Sequence, residues 1–271
     1  MKILIYVNRE KDKSDVWLNG VVSFLQKRNV EYETVFNKDL SASFKGDAIL
    51  VLGGDGTILG LTDFCLKNSL SIIGINAGKM GFLTEFEPSE TEKAIDLFLN
   101  GELKADKRAT LKAAFNEKVY FGLNDLVVER IFHGEDGASV IKLDVSVHQK
   151  KVDVIRGNGV IVATPTGSTA YSLSSGGSIL APRINAFSIT PIAAHSLTRR
   201  PIIYSSEAEC SVSLTAGKQA GVIIDGKFIG KLAENQTVSI YKSSRDLVFL
   251  RKKEFNFYKR LSDKFGKEEN V

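Results

Sequence analysis

The segment Leu52-Gly53-Gly54-Asp55-Gly56-Thr57 places three glycines within four positions and a carboxylate among them. Glycine lets backbone amides approach an anion closely. Where such a turn opens a helix, unpaired N–H groups and the partial positive charge of the helix end add to the attraction. Gly53, Gly54 and Gly56 therefore read as a phosphate cradle. Asp55 is out of place beside bound phosphates unless it holds a metal or takes a proton from an attacking hydroxyl, and both uses belong to phosphoryl transfer. The same residues also suit a strand-exit turn in which Asp55 caps a helix, so that alternative stands. The glycine spacing matches neither GxGxxG nor GxxxxGKS/T, so neither a Rossmann fingerprint nor a Walker A loop can be claimed.

Three further segments carry residue types suited to a nucleotide. GINAGKMGFLT at 74–84 again follows an apolar run. Ligands of open α/β sheets gather beyond the carboxyl ends of the strands, so this loop and the Asp55 loop are expected to open onto one cleft. There Phe82 either stacks on a base or serves as a core aromatic. Asn124 and Asp125 interrupt the apolar run 119–128, where polar side chains either mark a turn or face a ligand. The segment 164–177, TPTGSTAYSLSSGG, has hydroxyls enough to bond ribose and amide groups, with Tyr171 offering a flat face for a base. A flexible linker fits it poorly, since a strand precedes it and Ile179-Leu180 follow.

The elements that must position these residues change character along the chain. Residues 2–7 read as an apolar strand, followed by a helix with Trp17, Val21, Phe24 and Leu25 on one face and Ser14 as its N-cap. Alternation over 32–36 and the apolar runs 48–52 and 71–76 add buried parallel strands, with 57–67 as a crossover helix between the last two. Ser89 and Glu92 form a capping box for a helix ending at Gly101. Beyond it β-branched and aromatic residues recur in short runs, at 119–121, 127–128, 140–147, 152–155, 160–163, 187–190, 202–204, 212–214, 221–224 and 238–241. A hairpin is expected with 149–151 at its turn. The expected layout is an α/β domain over 1–100, a mostly β, sandwich-like domain over 101–250, and a C-terminal helix over 251–271 returning to the first. That helix sets Phe257, Tyr258, Leu261 and Phe265 at helical spacing among basic residues, and packing on its own protein is the expectation.

Composition bounds the rest. The chain has 271 residues, 43% of them hydrophobic and 25% charged, the balance of a globular protein large enough for one big core or two modest ones. No run reaches the ~18 apolar residues of a membrane span, and the first residues become charged early, so a cytosolic protein with no membrane partner is expected. Cys65 and Cys210 have no metal or disulfide spacing and are expected in the core. The net charge of +4 is spread along the chain and does not point to nucleic acid.

Taken together, these segments resemble the NAD kinase family, and the resemblance spans nearly the whole chain. It is carried by GGDGT at 53–57, GINAGKMGFLTEF at 74–86, Asn124-Asp125, GVIVATPTGSTAYSLSSGG at 159–177, TPIAAHSLTRRPI at 190–202 and IDG at 224–226. A lone GGDG also suits lipid kinases of the diacylglycerol type and phosphofructokinases, and the 165–177 segment separates this chain from them. The resemblance implies a phosphotransferase that moves the terminal phosphate of ATP, or another donor, to the adenosine ribose 2′-hydroxyl of NAD. It implies the NAD kinase/diacylglycerol kinase-like fold, a divalent metal such as Mg2+, and a homodimer or homotetramer.

On this pattern Asp55 is the general base or orienting carboxylate, with Gly56 beside it. Asn124 and Asp125 bind ribose, and Thr166, Thr169, Ala170, Tyr171 and Ser174 the adenosine portion. Ala193, with Arg156 and Asn158, reaches the nicotinamide half, supplied by a neighbouring subunit. Asp125 stands where the family commonly has Glu and keeps the charge, and Asn158 stands where it has an acid, losing the charge while keeping one hydrogen-bond acceptor. Ala181 stands where a His is common, and Lys227 where a Gln is frequent, a change that bears on the cofactor or the donor phosphates. Two other classes compete: a lipid or sugar kinase sharing the GGDG cradle, and a non-catalytic NAD-binding regulator.

Overall fold

The computed structural model describes residues 1–9, 13–36, 40, 43–78, 81–131, 140–196 and 198–266. Of the segments singled out above, Lys79, Met80, Leu197 and residues 267–271 of the expected C-terminal helix lie outside the described residues. The chain divides into two compact units, Met1–Lys107 with Leu247–Val271, and Arg108–Asp246.

The first unit runs β1 (Lys2–Val7), α1 (Val16–Lys27), β2 (Glu31–Val35), β3 (Ala48–Gly53), α2 (Asp55–Gly60), α3 (Thr62–Asn68), β4 (Ser71–Asn76), α4 (Thr91–Leu99) and β5 (Lys104–Arg108). Strands β1 to β4 pair in parallel, as buried apolar runs joined by helices require. Ile3, Ile5, Leu50 and Ile73 pack on one face of the sheet with Leu18 and Leu25 of α1 and Ile95 of α4. The expected single crossover helix is two short ones, α2 ending at Gly60, where glycine's backbone entropy disfavours a continuous helix.

Two expected caps are replaced. Asp15, with φ 55°, precedes α1 and makes no side-chain cap, so Ser14 does not fill that role. Ahead of α4 a short 3-10 turn spans Pro88–Glu90, and the Glu90 carboxylate accepts the Glu87 N–H at 3.2 Å, taking the part expected of Ser89 and Glu92. Proline at the first position of that turn removes a donor which would otherwise need a partner.

The second unit contains β6 (Leu111–Phe115), β7 (Lys118–Gly122), β8 (Asp125–Arg130), β9 (Ile141–Val147), β10 (Lys150–Gly157), β11 (Gly159–Ala163), α5 (Tyr171–Ser174), β12 (Ala186–Ile192), β13 (Ile202–Ser205), β14 (Cys210–Ala216), β15 (Gln219–Ile224), β16 (Lys227–Ala233) and β17 (Thr237–Lys242). They form two six-stranded antiparallel sheets, ordered β10-β9-β14-β17-β6-β7 and β13-β12-β11-β8-β15-β16. Leu143, Val145 and Val212 from one sheet and Val128, Val160 and Val222 from the other share one core. The hairpin β9-β10 forms, but its turn is His148-Gln149, both with positive φ (50° and 60°), one residue earlier than expected.

The chain then returns to the first unit through β18 (Leu247–Arg251) and α6 (Phe257–Phe265). Strand β18 lies between β4 and β5, giving the order β2-β1-β3-β4-β18-β5. The return therefore begins a whole strand before the helix at which the sequence reading placed it, and the first unit also keeps β5. Lys-Ala-Asp-Lys-Arg at 104–108 has too few apolar residues to announce a strand. Helix α6 is capped by the Asn256 side chain, which accepts from the Tyr258 and Lys259 N–H groups at 2.9 and 3.1 Å. Cys65 and Cys210 are buried and free, and burial pushes the Cys210 thiol up to about 12. Among the described residues no helix is long and apolar enough to cross a membrane.

Candidate active site

In the first unit β3 ends at Gly53 and α2 begins at Asp55, with Gly54 as the residue before the helix. Asp55 is thus inside the helix and is not its cap. Its carboxylate instead accepts the backbone N–H groups of Phe82 at 2.8 Å and Leu83 at 3.1 Å. The two glycine-rich loops expected to share a cleft are joined by that pair of bonds. A Cβ at Gly53 would stand 2.4 Å from Thr57 Oγ1, and one at Gly81 would stand 1.9 Å from Asp55 Oδ1, so both positions need glycine for closeness. At Gly54 and Gly56 the same atom would meet nothing within 4 Å among the described residues, leaving the turn open on that side. Phe82 is half-buried, its ring 6.2 Å from that of Phe257 and under Lys264 Nζ at 4.4 Å. It packs against α6 rather than standing free.

In the second unit the period of two along β8 and β11 decides what faces where. Leu126, Val128, Val160 and Val162 enter the core between the sheets, while Val127, Ile161 and Ala163 form a small apolar patch on the opposite face. Asp125 and Glu129 share that outer face with Val127, and Asp125 pairs with Ala163 across the strands. The 164–177 loop leaves β11 at the same end, and the Tyr171 hydroxyl lies near the Glu129 carboxylate, whose pKa it lowers against the upward push of burial. Tyr171 is 42% exposed, so its ring is available as a platform and is not core.

Several hydroxyls of this loop hold the loop itself together. Thr164 Oγ1 donates to the Leu123 carbonyl at 2.5 Å, Ser168 Oγ to the Pro165 carbonyl at 2.6 Å, and Ser172 Oγ meets Thr190 Oγ1 at 2.9 Å. The expectation that the loop's hydroxyls serve a nucleotide is therefore narrowed. Thr166 is buried and accepts from Arg108 Nη1 at 3.3 Å, and Thr169 Oγ1 donates to the Thr166 carbonyl at 3.1 Å. Ala170 is half-buried and Ser174 exposed. Gly167 is forced, because a Cβ there would lie 2.0 Å from the Asn124 carbonyl oxygen.

Arg156, Asn158 and Ala193 are brought together elsewhere. The Asn158 N–H donates to the Ile192 carbonyl at 3.0 Å and the His195 N–H to the Arg156 carbonyl at 2.9 Å, while Ala193 adopts φ 42°. Arg156 lines a cleft of about 340 Å³ with Val154, His195, Ser196 and Arg199, and Arg199 pairs with the buried Asp153. Asn158 precedes the Gly159 end of β11 whereas Asp125 pairs with its Ala163 end, so that five residues, or roughly 17 Å, of extended chain separate Asn158 from the residue paired with Asp125.

Sequence reasoning marked IDG at 224–226 only as a family segment and gave no role to the residue that organises Asn124 and Asp125. The Asp225 carboxylate accepts the N–H groups of Leu123 at 2.7 Å, Asn124 at 2.8 Å and Asp125 at 3.1 Å. It sits with Gly226 in the β15-β16 turn, both at positive φ (46° and 78°). An Asp-Gly pair is a local signal for such a turn, but its link to a loop a hundred residues earlier has no local trace. Lys227 follows that turn and is exposed. Glu129 and Arg251 were likewise unmarked, Gly81 was noted only as part of the 74–84 segment, and Arg260 only among the basic residues of the last helix. Among the described residues no three His, Cys, Asp or Glu side chains are grouped to hold a metal ion.

Burial, with the Asp225 charge nearby, pushes the Asp125 carboxyl from an ordinary 3.8 up to about 7. Asp225 is also raised by burial, against the pull of its three N–H donors. Between pH 4 and 7 the folded chain therefore holds a proton at Asp125 that the unfolded chain has lost, so stability falls as pH rises through that window. Asp125→Asn removes the dependence. It is expected to raise the melting temperature at pH 8 and to flatten its decline from pH 5 to 8, by an amount on the order of 1–3 kcal/mol given about 1.4 kcal/mol per pKa unit. Calorimetry across that range checks it; a variant less stable than the parent at pH 8 contradicts it.

Comparison with known proteins agrees with this geometry. Residues 5–103 match the ATP-NAD kinase N-terminal domain and residues 127–252 the ATP-NAD kinase C-terminal domain. The chain is 33% identical to the NAD kinase of Caldicellulosiruptor bescii, covering 97% of this chain and 99% of that protein. It is 34% identical to the NAD kinase of Methanothermobacter thermautotrophicus over 90% and 89%. The crystal structure of yeast NADH kinase complexed with NADH has the same fold, with TM-score 0.86 at 20% identity over 98% of this chain and 87% of that one. An NAD kinase from Archaeoglobus fulgidus in complex with ATP gives TM-score 0.78 at 26% identity over 100% of both chains. Matched in both domains, and along nearly its whole length at a third identity, the chain belongs to the NAD kinase family.

Proposed function

We propose that the chain transfers the terminal phosphate of ATP, or of a comparable donor, to the 2′-hydroxyl of the adenosine ribose of NAD, giving NADP. Family membership supports the reaction, and one observation supports the chemistry: Asp55 is turned from its own helix end and held by two loop amides beside an open glycine turn. A carboxylate has more lone pairs than those two bonds use. The remainder accept the hydroxyl proton as the ribose oxygen forms its bond to phosphorus and the donor's bridging oxygen leaves with its electron pair.

In this reading the first unit handles phosphate and the second recognises the dinucleotide. Tyr171 stacks on the adenine, and Asn124 and Asp125, shaped by Asp225, take ribose hydroxyls. Thr166, Thr169, Ala170 and Ser174 complete the adenosine contacts, and Lys227 lies beside the turn that shapes them. A magnesium ion fits as a companion of the donor, since Mg2+ commonly binds through phosphates, water and one or two carboxylates rather than in a protein cage. When bound it would neutralise charge on the transferring group. Neither a lipid or sugar kinase nor a silent NAD-binding regulator is supported by the two relatives named above, both of which are NAD kinases.

The separation of Arg156, Asn158 and Ala193 from Asp125 supports a role for them toward the nicotinamide half of an NAD held by a neighbouring copy. Asn158 there accepts a hydrogen bond without charge. The active form is then a homodimer or homotetramer, and light scattering at assay concentration should show it; full activity from a monomer rules it out.

Asp55→Asn, whose one amide oxygen still accepts one of the two loop N–H groups, is expected to keep the fold and the NAD requirement while the maximal rate falls ~10²–10⁴-fold, the usual share of a positioned base. Retention of more than about a tenth of the rate removes Asp55 from the transfer step. Tyr171→Ala should raise the NAD concentration needed more than it lowers the maximal rate, because a stacking contact of ~1–3 kcal/mol is present before and during transfer. Unchanged apparent affinity in steady-state kinetics would show that the ring does not meet the base.

A further inference from the structure

The backbone at 81–84 has no regular structure, yet each of its carbonyls is occupied by a guanidinium. The Gly81 oxygen accepts from Arg260 Nη1 at 3.1 Å, Phe82 from Arg251 Nη2 at 3.0 Å and Leu83 from Arg251 Nη1 at 3.2 Å. The Thr84 oxygen accepts from Arg251 Nη1 at 3.3 Å and also from Arg260 Nη1. The amides of Phe82 and Leu83 meanwhile donate to Asp55. Asp55 therefore grips one side of the loop and two arginines from the last stretch of the chain grip the other.

Both guanidinium groups are themselves fixed. Arg251 is 1% exposed and donates from Nε to Asp106 at 3.2 Å. Glu85 Oε2 accepts from Arg251 Nη1 at 3.3 Å and Arg260 Nη2 at 3.0 Å. Phe255 lies against both, 4.3 Å from the Arg251 guanidinium carbon and 5.3 Å from that of Arg260. As core filling this is a poor solution, because apolar residues of equal volume often replace buried ion pairs without loss of stability. What an apolar residue cannot do is present a planar fork of donors to successive carbonyls. The tight fit at Gly81, where no Cβ can be accommodated beside Asp55, shows how closely the loop is drawn in.

We propose that Arg251 and Arg260 are positioning residues for phosphoryl transfer: by fixing the carbonyls of 81–84 they hold the Phe82 and Leu83 amides on Asp55 and so set the rotamer from which that carboxylate meets the hydroxyl. This rests on reading Asp55 as the transfer carboxylate. The donors of both guanidinium groups point at the loop carbonyls, Glu85 and Asp106, so their loss is expected to change the rate of the chemical step and to leave the binding of NAD nearly alone.

Arg260 is the better one to alter, since its side chain is 14% exposed and its removal opens no sealed cavity. In Arg260→Met the stem is kept and the donors are lost. The maximal rate at saturating NAD and ATP, normalised to NAD-binding sites so that unfolded protein does not count, is expected to fall about 10–100-fold, the scale of an ångström-sized misplacement. The NAD requirement should stay within about twofold. Amide exchange at Phe82 and Leu83 should quicken while the global unfolding midpoint stays well above the assay temperature. Arg260→Lys, which restores charge without the fork, should recover only part of the rate, and Arg251→Lys should lie on the same side; these also serve if Arg260→Met does not fold.

A double-mutant cycle with Asp55→Asn separates the possible failures. If the arginines act through Asp55, adding Arg260→Met to Asp55→Asn costs little further rate in single-turnover measurements. Independent, multiplying losses overturn the proposal, as do wild-type rates in both Arg260→Met and Arg251→Lys while Asp55→Asn has collapsed. An Asp55→Asn enzyme that keeps its rate removes the underlying reading, and the proposal with it.

Discussion

The hydrogen bonds from the Phe82 and Leu83 amides to Asp55 join the loop after β3 to the loop after β4. Much of the first unit's site depends on that contact. Gly81 has to lack a side chain for the loop to come near, and Gly53 has to lack one for Thr57 to pack beside it. Both loops leave adjacent parallel strands at the same end, so the meeting follows from the sheet, and the parallel pairing of β3 with β4 sets its register. The last strand and helix then close on the far side of the second loop. That gives a structural reason for the chain to come back to its first unit.

The second unit uses the same device with different residues. Asp225, held at the tip of a hairpin, gathers three successive amides from 123–125 and thereby aims Asn124 and Asp125. Backbone amides binding a carboxylate offer fixed donors in place of mobile water, which suits a site whose geometry must be ready before substrate arrives. The cost is electrostatic. Asp125, drawn into a buried position near a second carboxylate, is held partly protonated near neutral pH. The hydroxyl-rich loop shows a similar division of labour, with Thr164, Ser168 and Ser172 building the loop and leaving Tyr171 and Ser174 exposed on it.

Most of the elements were legible because their patterns are local. Continuous apolar runs marked β1, β3 and β4, the last two ending before glycines, and β-branched pairs spaced by turns marked most of the sandwich. Strand β5 was hidden by its charges, and β16 by the exposed sheet edge it occupies, which demands no regular alternation. The caps of α1 and α4 were misassigned because a Ser at the right spacing satisfies the rule equally well, and only the backbone angles decide between neighbours.

By itself the sequence determined the residue types that phosphate and nucleotide chemistry require, the order in which they occur, and the alternation of parallel-sheet and antiparallel-sheet halves. All of these are written in short windows of sequence. What only the tertiary structure decided is which of those residues hold one another: Asp55 on Phe82 and Leu83, Asp225 on 123–125, and Arg251 and Arg260 on the carbonyls of 81–84. Those partners stand between 27 and 179 positions apart in the chain. No periodicity or spacing reports a contact at such separation, because it arises from strand order, and strand order is chosen by the burial of whole sheets rather than by any neighbour in sequence.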